Sequence, residues 1–144
     1  MPSLKELFGD KRPTAIDDCV SLIDSEVKDK GGLSGMAIKA GYAVVNGLKP
    51  TFVRESVDHL LDEFADKLDT VYQEAKAAGK PVAAHFDANK GRVADALLEI
   101  TDGKAKRSKH ATVVKTYERL RGTAKQNVES AVPRLGKLVE KFDR

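Results

Sequence analysis

Over residues 50–78 the apolar side chains Val53, Val57, Leu60, Phe64, Leu68, Val71 and Ala75 recur three or four positions apart without a break. That rhythm matches the turn of an α-helix and not a strand, in which apolar residues alternate at every second position. Leu61 and Tyr72 widen the stripe. A helix of this kind persists in water only when its apolar side is covered, so the rest of the chain has to supply the cover. Pro50 fits the first turn, where its missing N–H would have no helical partner, and Gly79 and Pro81 end the segment.

Other segments carry the same periodicity. Ile16, Cys19, Val20, Ile23 and Val27 form a stripe over 14–30, with Thr14 as the expected N-cap and Asp17 and Asp18 near the positive end of the helix dipole. A short helical turn is expected over 2–8, closed by Gly9 and Pro13. Val82, Phe86, Val93, Leu97 and Ile100 predict a helix over 81–102, interrupted near Asn89, Lys90 and Gly91 and stopped by Asp102 and Gly103. Val114, Tyr117, Leu120, Ala124, Val128, Val132, Leu135, Leu138 and Phe142 continue the pattern over 108–142. Gly122 and Pro133 are expected to divide that stretch into two or three helices, because an interior proline removes a backbone hydrogen bond. No alternating segment competes with these stripes. The sequence therefore predicts an all-α fold, a compact bundle of five to seven helices in a single domain spanning 1–144. A domain of this size buries roughly 70% of the surface its unfolded chain exposes, enough to hold without disulfides or metal. Cys19, the only cysteine, can form no internal bridge.

Residues 34–46 stand apart. Their single charge is Lys39, and Gly35, Ala37, Ala40, Gly41, Ala43, Val44 and Val45 are all small or apolar. Ser34 is the expected N-cap, with Leu33 and Ile38 set as a hydrophobic staple and Gly47 as the stop. A helix apolar around its circumference is expected to be buried by its neighbours. At this length it falls short of the roughly 20 residues a bilayer span requires.

Charge is distributed unevenly. Residues 1–103 hold 13 Lys and Arg against 18 Asp and Glu, whereas residues 104–144 hold 12 against 4. Lys104, Lys106, Arg107, Lys109 and Lys115 form a basic run with no acid among them, a candidate contact for nucleic acid or another anionic surface. No helix-turn-helix signature or stacking aromatic accompanies it. The competing explanation is internal: the 50–78 helix carries Glu55, Asp58, Asp62, Glu63, Asp66, Asp69 and Glu74, and basic and acidic helices can face each other within the bundle.

Signs of catalysis are missing. Cys19 lies on an apolar stripe, where burial keeps a thiol protonated and inert. His59 has Glu55 and Glu63 four positions to either side, but the Glu-x-x-His pairs of a di-iron bundle do not occur. No phosphate-binding glycine loop and no nucleophile motif is present. The sequence thus predicts no catalytic residue, no metal ligand and no cofactor. The expected function is a non-enzymatic helical scaffold or protein-interaction module, with another protein or a second copy as partner. Nucleic-acid or anionic-surface binding through the basic run is the alternative. A third reading places a small anionic molecule in a cavity beside the glycine-containing helix, met by Lys39. The first ten residues lack the apolar run of a signal peptide, so a cytoplasmic location is expected.

The run Gly35-Met-Ala-Ile-Lys-Ala-Gly-Tyr42, with Lys49-Pro-Thr-Phe-Val53 and Leu60-Leu-Asp-Glu-Phe64, resembles a family of small uncharacterised bacterial proteins. The resemblance covers most of the chain. It implies a bacterial source and a helical fold, and it carries over no catalytic or binding residue.

Overall fold

The computed structural model describes residues 2–143, with the side chains of Leu33 and Ser34 excepted. Among these residues there are seven helices and no strand: α1 (Leu4–Asp10), α2 (Arg12–Asp29), α3 (Gly32–Leu48), α4 (Phe52–Ala77), α5 (Val82–Ala88), α6 (Lys90–Arg107) and α7 (Ala111–Phe142). The bundle is all-α, as the periodicity requires.

Helix α4 is the axis of the packing. Val57, Leu61, Ala65, Leu68, Val71, Tyr72 and Ala75 are buried along it. Helices α1 and α2 cover one side with Leu4, Leu7, Phe8, Ala15 and Ile16, and α5, α6 and α7 bring Val82, Phe86, Val93, Val132, Val139 and Phe142 to the same core. The two ends of the chain meet beside it. Phe8 and Phe142 pack edge to face with ring centroids 5.2 Å apart. The Leu4 N–H donates to Asp69 Oδ1 at 3.0 Å, and Tyr72 donates to Asp143.

Several boundaries differ from the sequence expectation, each for a local reason. Gly9 lies inside α1, and Pro13 opens α2 rather than closing α1, with Lys11 and not Thr14 at the N-cap. Asn89 separates α5 from α6, as expected, but α6 runs through Asp102 and Gly103 to Arg107. Helix α3 begins at Gly32, whose φ of +70° is open to glycine, so residue 34 is within the helix and Gly31 is its N-cap. The staple and cap involving the Leu33 and Ser34 side chains lie outside the described residues.

The largest difference is α7, one helix of 32 residues in which neither Gly122 nor Pro133 makes a break. Pro133 is exposed, so its ring lies on the outer side of the helix, away from the core. Three positions on, Gly136 is buried, and a Cβ there would lie 2.9 Å from the Ala83 Cα of α5. Close contact with α5 and α6 holds α7 through its weak point. Gly136→Val should therefore drive α5 and α7 apart and lower stability by about 1–3 kcal/mol, the usual cost of overpacking, measured as a fall in the urea midpoint.

Candidate interaction surface

The five basic residues singled out by sequence do not converge on one cradle. Lys104, Lys106 and Arg107 lie in the last turn of α6, where cations offset the negative end of the helix dipole. Lys104 Nζ sits 2.9 Å from Glu63 Oε1 on α4, the internal pairing of basic and acidic helices. Lys109 lies in the link to α7 and Lys115 in the early turns of that helix, both exposed. Lys106, Arg107, Lys109 and Lys115 thus mark the corner between α6 and α7, with Lys104 drawn toward the body of the bundle.

Most other charge is also committed internally. Arg12 holds Asp58 at 2.9 Å and Asp62 at 3.0 Å, tying α2 to α4. Arg134 bridges to Glu26 and Asp29, and Lys141 reaches Asp18 at 2.7 Å, tying α7 to α2. Asp102 accepts from Arg121 and from Tyr117, and these bonds hold its carboxyl below the usual range. Burial, with help from neighbouring Asp18, pushes the half-buried Cys19 thiol up to about 11. His59 is exposed, while Glu55 and Glu63 beside it are engaged by Lys49 and Lys104. No group of three or more His, Cys, Asp or Glu side chains suited to a metal ion occurs among the described residues.

Helix α3 overturns its expected place. It was to be buried on several sides, yet it lies at the periphery against α2, α4 and α7. Its inner side carries Ile38, Tyr42, Val45 and Asn46, all half-buried, and the two buried glycines. Gly35 rests on the Lys30 backbone, and a Cβ on Gly41 would lie 3.0 Å from both Thr116 and Leu120 of α7. Neighbouring atoms thus occupy the space beside these two glycines. Tyr42 donates to Asp24, and burial, together with that bond, raises its hydroxyl pKa to about 12. Lys30 Nζ donates to the Asn127 carbonyl at 3.3 Å. From residue 30 to residue 41 the neighbours on α7 run from 127 back to 116, so α3 lies antiparallel to α7.

The outer side of α3 is exposed and uncharged. Met36 is 68% exposed, Leu48 56% and Val44 42%, and Ala37, Ala40, Ala43 and Gly47 are exposed between them. Lys39 stands at one edge. In a chain with 33% charged residues, a helix face of this length without charge is an anomaly. The sequence signal was present, since the missing charge over 34–46 is the same fact. It was read as burial because an apolar circumference usually has neighbours. The physical reason it failed is size: Gly and Ala carry little apolar area, so covering them gains little, and the bulkier stripes of α1, α2, α5, α6 and α7 close the core first.

The fold and this surface define a small all-α bundle with an uncharged outer helix, and no helix among the described residues is long and apolar enough to cross a membrane. The chain belongs to a family of unknown function (DUF6918), whose model matches residues 4–143. Neither a curated protein nor a solved structure matches it. The family relationship bears out the resemblance to proteins without an assigned activity.

One surface ion cluster adds a pH-dependent contribution to stability. Glu74 of α4 accepts from both terminal nitrogens of the Arg92 guanidinium, Nη1 and Nη2, at 2.8 and 2.7 Å, and His85 Nε2 lies 3.1 Å away. Arg92 first, and then His85, hold the Glu74 carboxyl at about 2 rather than the ordinary 4.5. A folded-state value below the unfolded one adds stability that is complete above pH 4.5 and lost as the pH falls through about 2. Glu74→Gln should therefore be less stable than wild type at neutral pH, with the difference shrinking toward zero across that acid window. Urea unfolding of both proteins at several pH values measures it; a constant difference would contradict the assignment.

Proposed function

We propose that the protein is a non-enzymatic helical module, cytoplasmic in location, that docks another protein through the outer face of α3. The observation that carries this reading is the exposure of Met36, Val44 and Leu48 on a helix side without charge. Exposed apolar surface of this extent costs solubility, and a contiguous patch of it is characteristic of contact sites. The state of the titratable groups supports the non-enzymatic half of the proposal. The shifted carboxylates Asp29, Glu55, Glu74 and Asp102 owe their shifts first to surface ion pairs with Arg134, Lys49, Arg92 and Arg121. Such pairing serves structure, whereas a catalytic pair needs a group poised to gain or lose a proton near neutral pH.

A photo-crosslinking residue placed at Ala40 tests the docking face, with one at the exposed Asp66 of α4 as the control. In the native cell the Ala40 probe should yield discrete protein adducts that disappear with Met36→Glu. The same diffuse pattern from both positions would reject the reading.

A second reading has its own observation. Arg107, Lys109 and Lys115 extend from the α6–α7 corner with no ion-pair partner among the described residues. Such a corner supports contact with a polyanion, nucleic acid or an anionic surface, driven by counterion release. It predicts retention of RNA or DNA at about 50 mM salt that falls steeply by about 200 mM and is reduced by charge reversal at these three positions. Absence of binding at the lower salt would remove this reading.

A further inference from the structure

We infer that the end of the α6–α7 hairpin binds duplex DNA along its phosphate backbones, without reading sequence, through Lys106, Arg107, Lys109, Lys115 and Arg119. The inference rests on the polyanion reading of this corner and names the polyanion. Helices α6 and α7 run antiparallel, because Asp95 meets Lys125 whereas Thr101 and Asp102 meet Tyr117 and Arg121. Residues 108–110 close the hairpin. None of residues 101–115 is buried, so this end stands outside the core.

Over residues 106–119 the hairpin sets those five cations against one acid, Glu118. Arg107, Lys109, Lys115 and Arg119 have no ion-pair partner among the described residues. Lys106 only adds to the field at Asp102, which Arg121 and Tyr117 already hold. Lys115 and Arg119 stand two positions to either side of Tyr117, which faces α6. Two positions are about 200° of helix, so both cations lie on the side of α7 away from α6. Arg107 is five positions past Asp102, about 140° around α6, and so lies off the face that meets α7. The charges thus spread over the width of two packed helices, about 20 Å. They cannot converge on one phosphate, but they suit a polymer that repeats it.

The rest of the hairpin end selects among polyanions. No large apolar side chain is exposed there among the described residues. An acidic protein would find no apolar centre to anchor it, and a bilayer no side chain to take up. Single strands are held by bases stacked on successive aromatic rings. Tyr117 is half-buried with its hydroxyl held by Thr101 and Asp102, which leaves His110 as the one exposed ring over 104–121. Duplex RNA is gripped through its 2′-hydroxyl groups. Residues 104–121 hold no Asn or Gln, and Ser108 Oγ is engaged by the His110 N–H. Two helices side by side are wider than the major groove of B-DNA, about 12 Å, so contacts fall on the phosphates flanking a groove and not on base edges. The acidic balance of residues 1–103 repels the same polymer and confines contact to this end.

Fluorescence anisotropy of a labelled DNA duplex of about 20 base pairs should give a dissociation constant on the order of micromolar at about 50 mM salt, weakening about 100-fold by about 200 mM, as roughly four phosphate contacts require. A duplex of unrelated sequence should bind equally. The single strand and an RNA duplex should bind at least about fivefold more weakly. Arg107→Gln, Lys115→Gln and Arg119→Gln should each flatten the log–log salt slope by about one, with unchanged circular dichroism spectra. Lys80→Gln should leave binding unchanged, since Lys80 is exposed and follows α4 past Glu74, whose partner Arg92 marks the opposite end of α6. Single-stranded DNA or duplex RNA bound as tightly as duplex DNA, or a preference of about tenfold between the two DNA sequences, overturns the inference and leaves the polyanion reading standing. A salt slope indifferent to the three substitutions, or binding to phosphatidylglycerol vesicles but not to the duplex, also overturns it. No retention of any nucleic acid at about 50 mM salt ends both.

Discussion

Burial of the α4 stripe is the constraint on which the other elements depend, because its apolar residues are too numerous and too evenly spaced for one neighbour to cover. Fully burying a large aliphatic or aromatic side chain is worth about 1.5–3 kcal/mol, so leaving this stripe open would cost more than a small domain has in reserve. Helices α1 and α2 close it from one side and α5 and α6 from the other, with α7 packed in turn against α5 and α6. The joining of the chain ends follows from the same requirement. Leu4, Phe8 and Phe142 complete the cover near Leu68 and Tyr72, and Asp69 and Asp143 give their polar neighbours hydrogen-bond partners.

Electrostatics then orders what burial has brought together. The acidic first part of the chain and the basic last part are joined through Arg134 with Glu26 and Asp29, Lys141 with Asp18, and Lys104 with Glu63. Exposed pairs of this kind contribute about 0–1 kcal/mol each, too little to hold the bundle. Their effect is on orientation, since the wrong arrangement of α7 would set like charges against one another. The charge asymmetry along the chain is thus in part an internal complement, while the α6–α7 corner keeps several cations facing outward.

Helix α3 is held differently from the rest. A tyrosine hydroxyl, a lysine reaching a backbone carbonyl, and glycines in close contact attach it where the other helices use interlocking large side chains. This attachment fixes one side of the helix and leaves the other free of charge and in water. The bundle does not need that outer side for its own core. The composition of that side is therefore not accounted for by the core.

Periodicity alone was enough to derive the fold class, the α4 axis and the interruption near Asn89, because all three are local consequences of side-chain spacing and backbone preference. The basic run at 104–115 was equally plain, and so was its acidic counterpart, but their pairing at Lys104 and Glu63 depends on how α6 lies across α4. Pro133 and Gly122 suggested breaks that local energetics favour; packing against α5 and α6 overrode them. The exposure of α3 was beyond sequence for a more basic reason. A run of small apolar residues records that charge is absent from that helix, and that is equally true of a helix buried in the core and of one left at the surface. Only the tertiary arrangement, by filling the core with larger side chains first, decided between them.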